Sequence, residues 1–151
     1  MNRKRPVLQL GILLAALAAT VATAAASERW RTLQAINWVE NPRNSTRTGP
    51  RGELGPYQFR PRTWRMYTDK PFAMALDRAA ADEVAVAHYE WLRRGLLSAG
   101  IDPTPYRIAL AWNAGLDPAI NDQAPASAYA YAEQVANLVA ELKAREVAGN
   151  P

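Results

Sequence analysis

Glu40 is the residue best placed to do chemistry. It closes an apolar-faced segment, because Leu33, Ile36 and Glu40 follow the i, i+3, i+7 spacing of one helix face. A chain breaker, Pro42, stands two residues on. A carboxyl set half into an apolar wall loses hydration, and that raises its pKa toward the range of a general acid. A second group follows in Gly52, Gly55, Tyr57, Gln58, Pro61, Thr63 and Trp64. Glycines three apart let the backbone approach a ligand closely. Gln58 both donates and accepts, which suits sugar hydroxyls and N-acetyl groups. Tyr57 and Trp64 offer ring faces for stacking on pyranoses. A third group, Trp112-Asn113-Ala114-Gly115, puts an amide at a helix end. Taken singly, each also fits a plain structural role: a solvated helix-end glutamate, a turn packed on the core, and an ordinary helix stop.

The elements that must position these groups are mainly helical. Ser27 to Val39 reads as a helix with Ser27 as N-cap. Residues 41–62 carry Pro42, Pro50, Pro56 and Pro61 with Gly49, Gly52 and Gly55, which forbids a long helix. Leu54, Tyr57 and Phe59 suggest short extended pieces or a small hairpin. A loop of that length in a compact domain is usually functional. Thr63 to Tyr67 reads as one helical turn, and Ala73 to Ala99 as a long helix stopped by Gly100. Pro105 to Ala114 reads as a short helix, and Ala126 to Val147 as the last one, with Tyr131, Val135, Leu138, Val139 and Leu142 as its stripe. His88 lies between Val84 and Trp91 on an apolar face and reads as a core or cleft-edge residue. Trp30, Trp38, Trp64 and Trp91 are expected mainly in the core, and Trp112 nearer the cleft. Arg93-Arg94 reads as a solvated helix face. The tail Gly149-Asn150-Pro151 is expected to fray.

Composition narrows the chemistry further. Residues 1–26 read as a signal peptide: Arg3, Lys4 and Arg5, then an apolar run from Val7 to Ala22, then Ala24-Ala25-Ala26 as a cleavage site. An uncleaved anchor is the lesser alternative. Export to the periplasm or beyond follows, with one domain over 27–151. Setting aside the three basic residues of the leader leaves fifteen basic against fourteen acidic residues. The high pI is therefore no argument for nucleic acid, and none is expected as a partner. The chain has no cysteine and one histidine, which excludes thiol chemistry and thiolate metal sites and tells against a histidine metal cluster or a His-based triad. No metal or cofactor is expected. Catalysis falls to carboxylates, hydroxyls or lysines.

Together the three groups resemble the lysozyme-like superfamily, in particular the catalytic domain of soluble lytic transglycosylases. That family carries a catalytic glutamate at a helix end, a Gly-x-x-Gly-x-x-Gln segment running on to Pro and Thr, an Ala-Tyr-Asn-Ala-Gly stretch and a tyrosine in the last helix. The matching residues are Glu40; Gly52, Gly55, Gln58, Pro61 and Thr63; Ala111 to Gly115; and Tyr131. The gaps of twelve from Glu40 to Gly52 and eighteen from Glu40 to Gln58 are the family's own. Gly55 to Trp64 is also similar to the loop of invertebrate-type lysozymes. The resemblance covers about residues 30–140. It implies a mainly α, lysozyme-like α+β fold with a short irregular or β segment beside the cleft. It further implies cleavage of peptidoglycan between N-acetylmuramic acid and N-acetylglucosamine, with Glu40 as acid and base. Gln58, Tyr57, Trp112, Asn113 and Tyr131 would bind substrate, with Tyr131 also orienting Glu40. A monomer acting on glycan strands is expected, with an unnamed cell-wall partner for placement.

The sequence departs from that pattern at several points. Asn41 replaces the serine after the glutamate, and Gly49 falls where a substrate-contacting serine is usual. Arg60 replaces a cleft methionine, Trp112 replaces the tyrosine of the Asn-Ala-Gly stretch, and Ser127-Ala128 replace a Glu-Thr pair. Two alternatives follow: a lysozyme-type hydrolase using Glu53, Asp69 or Asp77 as a second carboxylate, and a non-catalytic wall-binding protein on the same fold.

Overall fold

The computed structural model describes the backbone of residues 5–149 and the side chains of 23–149. Arg3, Lys4, the side chains of the apolar leader, Asn150 and Pro151 lie outside the described residues. Among the described residues no helix is long and apolar enough to cross a membrane; that finding does not reach the Val7–Ala22 side chains.

The protein is mainly helical. Helix α1 spans Arg5–Glu40, α2 Pro61–Arg65, α3 Arg78–Ser98, α4 Pro105–Ala114, α5 Leu116–Ile120 and α6 Ala126–Val147, with a 3₁₀ turn at Phe72–Leu76 between α2 and α3. The core centres on α4. Four consecutive residues there, Ile108, Ala109, Leu110 and Ala111, are buried, so this short helix is covered on every side. Against it lie α6, α5, α3 and α1. Alanines at 109, 111, 128 and 132 are buried and keep the facing side chains small. The α1 face of Leu33, Ala35 and Ile36 closes the core from the other side.

Both of the last long helices keep the bounds expected of them. Thr104 caps α4 by accepting from the Arg107 amide at 3.3 Å, with Pro105 in the first turn where its missing N–H costs nothing. Three expectations are corrected. Ser27 is internal to α1 and caps nothing, because the Ala-rich segment before it is helical too. The expected helix over 73–99 is broken at Asp77, whose extended backbone ends the 3₁₀ turn and whose carboxylate accepts from the Ala80 amide to start α3. Trp30, Trp38 and Trp91 are exposed, while Trp64 alone of the four is fully buried, its indole N–H donating to the Lys70 carbonyl at 2.8 Å. The five-residue helix α5 was unforeseen. Gly115, at φ 95°, launches it directly from the end of α4.

Between α1 and α2 the chain forms a tight hairpin. Its β content is one antiparallel bridge, with Leu54 and Phe59 exchanging both backbone hydrogen bonds at 3.0 Å. Gly55, at φ 80°, turns the chain so close to the 3₁₀ segment that a Cβ there would lie 1.8 Å from the Ala75 carbonyl oxygen. This glycine therefore serves packing between protein segments rather than approach to a ligand.

Candidate functional site

Two buried asparagines, a third that is exposed and an arginine hold the hairpin against the end of α1. Asn37 donates to the Pro56 carbonyl at 2.9 Å and to Asn44 Oδ1 at 3.0 Å. Arg78 from α3 donates to Asn37 Oδ1 at 2.9 Å, to the Tyr57 oxygen at 3.2 Å and to Asp82. Asn41 donates to the Ser45 and Gly55 carbonyls at 2.9 and 3.1 Å and accepts from the Ser45 amide at 2.8 Å. Asn41 is thus a loop anchor. Polar side chains were available for this task because the loop's backbone groups, buried without sheet partners, need donors and acceptors.

This clamp places a polar pocket of about 280 Å³ between the hairpin, α1, α3 and α4. Glu40, Gln58, Trp112 and Asn113 all line it, with Tyr57 in its wall. A larger recess of about 460 Å³ lies beside Gly55, Pro56 and Arg78, but it holds no carboxyl. The smaller pocket is the candidate site.

Burial raises the Glu40 pKa, and the nearby Glu53 charge adds to the rise; Tyr131 and Arg60 act against it. The Tyr131 hydroxyl is buried, and its pKa is pushed well above the usual phenol by burial and by the Glu40 charge. It lies within interaction range of the Glu40 carboxyl, but no hydrogen bond of full geometry is formed. Such contacts commonly tighten when substrate closes the site. Tyr131 accordingly sits behind Glu40 rather than in the pocket lining.

Glu53 is the residue that sequence reasoning undervalued. It lines the same pocket. Its side chain is 13 % exposed, covered by close neighbours although it lies near the molecular surface. That cover pushes its pKa up, but the Arg51 amide, donating at 2.8 Å, its own amide and the Arg60 and Arg51 charges outweigh it and hold the carboxyl below the usual range. Two carboxyls with opposed shifts therefore face one pocket. No signal in the sequence pairs Glu53 with Gly49, yet a Cβ at Gly49 would fall 2.7 Å from Glu53 Oε2 and 2.9 Å from Gln58 Oε1. Absence of a side chain at 49 leaves the room that Glu53 takes. Of the other acidic candidates, Asp77 is the cap of α3 and Asp69 does not line the pocket.

Gln58 sits at φ 47°, a strained setting for a residue with a side chain, and its amide donates to the Gly55 carbonyl at 2.8 Å. Its carbonyl oxygen is left facing Gly49. Tyr57, expected to stack on a sugar, is corrected to a structural role. It is 1 % exposed, its ring lies against Phe59 and Trp112, and its hydroxyl donates to Asp82 at 2.6 Å. Trp64 is likewise too deep to stack on a ligand. Trp112 is half-buried between Phe59, Tyr57 and His88, with ring centroids 5.8, 6.1 and 4.6 Å away. Asn113 beside it is exposed at the rim. His88 also lines the pocket and is held neutral. Burial drives its pKa down to about 4, and its Nδ1 shares a 2.8 Å hydrogen bond with the Tyr67 hydroxyl.

Comparison of the chain with protein families, curated proteins and solved structures returns no match.

Proposed function

We propose that this chain is an exported enzyme that cleaves peptidoglycan glycan strands between N-acetylmuramic acid and N-acetylglucosamine, on a lysozyme-like fold, with Glu40 as general acid and base. One observation carries the reading: a carboxyl with raised pKa closes a helix and opens into a polar pocket that also presents Gln58, Trp112 and Asn113. A protonated Glu40 donates to the bridging oxygen, and the glycosidic C–O bond breaks as positive charge develops on the sugar. In the transglycosylase route the muramic 6-hydroxyl attacks that carbon. Its proton passes to the Glu40 carboxylate, leaving a 1,6-anhydro end and restoring the acid. Tyr131, buried behind Glu40, would orient the carboxyl.

A second reading has a specific support. Glu53, kept ionised in the same pocket, would activate water or stabilise the developing cation, the role of the partner carboxylate in hydrolases. The two routes differ in product. Digestion of purified peptidoglycan by the chain and by Glu40→Gln, with products read by mass spectrometry, tests both. Anhydro ends from the first and a loss of about 10²- to 10⁴-fold in the second support the transglycosylase. Reducing ends that vanish in Glu53→Gln support the hydrolase. Binding with no products from either chain refutes the enzymatic reading and leaves the wall-binding alternative.

A further inference from the structure

Charge is distributed unevenly along the segment that builds one side of the pocket. Residues 41–65 contain six arginines, Arg43, Arg47, Arg51, Arg60, Arg62 and Arg65, against a single acid, Glu53. That is a surplus of five cations in the segment that builds one side of the cleft, on a chain that is nearly neutral outside its leader. All six are exposed. Arg60, 54 % exposed, stands 3.6 Å from Glu53; among the described residues the other five have no acidic partner within ion-pair distance. Arg51 and Arg60 line the pocket itself, and Arg62 adjoins Thr63, which also lines it. Glu40 and Glu53 line the same pocket, so the two carboxyls share its opening with two of these arginines.

Two carboxyls set among a surplus of arginines select among polymers. A nucleic acid carries its charge along its axis, one phosphate per nucleotide, and would press that charge on the two carboxyls. A peptidoglycan strand is the reverse: its sugar–sugar axis is uncharged where it would cross the carboxyls, and its carboxylates hang on the peptide branches to the side. Guanidinium groups match carboxylates in two-point geometry. We infer that the arginine rim of the 41–65 segment binds the free carboxylates of the peptide branches, so that the protein prefers strands whose branches are present and ionised. This rests on the glycan-strand reading above and adds a branch requirement to it.

The test uses the purified chain and its Glu40→Gln form with peptidoglycan sacculi, and with the same sacculi after their carboxyls have been converted to amides by carbodiimide and ammonia. Co-sedimentation gives affinity, and released fragments give turnover. Untreated sacculi are expected to bind about tenfold more tightly at 50 mM NaCl. That advantage should shrink severalfold at 300 mM, as screening shortens the reach of exposed charges. Arg62→Gln with Arg65→Gln, both on the exposed face of α2, should weaken binding to untreated sacculi roughly fivefold. Lys143→Gln with Arg145→Gln, the same loss of two charges on the exposed face of α6, should not. Equal binding to untreated and amidated sacculi overturns the inference without needing any variant. So does tighter, salt-sensitive binding to duplex DNA than to sacculi. Turnover is read separately: sacculi held through carboxylates but never cut keep the rim and remove the catalytic role of Glu40, whereas sacculi cut and held alike with or without free carboxylates do the opposite.

Discussion

Replacing Asn37 by alanine tests whether the hairpin is held from α1. The side chain is 3 % exposed and has three strong partners. Their fates differ on truncation. The Pro56 carbonyl has no second donor among the described residues, so it is left buried and unsatisfied. Arg78 keeps Asp82 and Tyr57, so it loses one bond of several. Asn44 is exposed and regains water. One orphaned acceptor and one weakened charged bond amount to about 3 kcal/mol. Asn41→Ala loses as many bonds but should cost about 1 kcal/mol. The Gly55 carbonyl still accepts from the Gln58 side chain at 2.8 Å and its amide at 3.2 Å, and Ser45 is solvent-exposed. Calorimetric and urea unfolding of the two variants should therefore separate, with melting temperatures lowered by about 10 °C and about 4 °C. Equal losses, or an Asn37→Ala chain within about 0.5 kcal/mol of the parent, would refute the clamp as drawn.

Opposite pH effects are expected at the two neighbours of Glu40. Glu53→Gln removes a charge that favours protonated Glu40, so the basic limb of kcat should move to lower pH; Tyr131→Phe removes a group that favours the carboxylate, so that limb should move to higher pH. Shifts of one sign in both variants would contradict the assignment of Glu40 as the acid. His88, neutral in the fold with a pKa of about 4 against 6.5 when exposed, binds a proton more readily unfolded. Its share of stability is complete above pH 6.5 and is lost as pH falls through about 4, some ~3 kcal/mol in all. Subtracting the His88→Gln unfolding curve from that of the parent across pH 7 to 3.5 should expose this slope, and a flat difference would exclude it. Gly49→Ala should push Glu53 and Gln58 from their positions, lowering kcat/KM about tenfold while stability changes by less than about 1 kcal/mol.

Much of this molecule is local in origin and was legible as such. The bounds of α4 and α6 follow from Pro105 and from apolar periodicity, which act within one turn. The breaker-rich stretch after Glu40 had to be a loop, and five of the six residues singled out for the site, Glu40, Tyr57, Gln58, Trp112 and Asn113, line one pocket because those signals sat at or beside element ends. Side-chain depth was a different matter. Tyr57 and Trp64 were indistinguishable in sequence from sugar-stacking rings, and only the packing of Phe59, Trp112 and the 3₁₀ segment around them shows that their faces are already covered. Glu53 gained its place the same way. Its cover, its neighbours Arg51 and Arg60 and the empty space at Gly49 come together only when the hairpin closes. Helical and loop propensities depend on neighbours along the chain, which a sequence displays directly. Burial and the electrostatics of a pocket depend on neighbours across space, and for residues 41–65 those are chosen by a clamp in which Asn37 of α1 meets Arg78 of α3, forty-one positions along the chain.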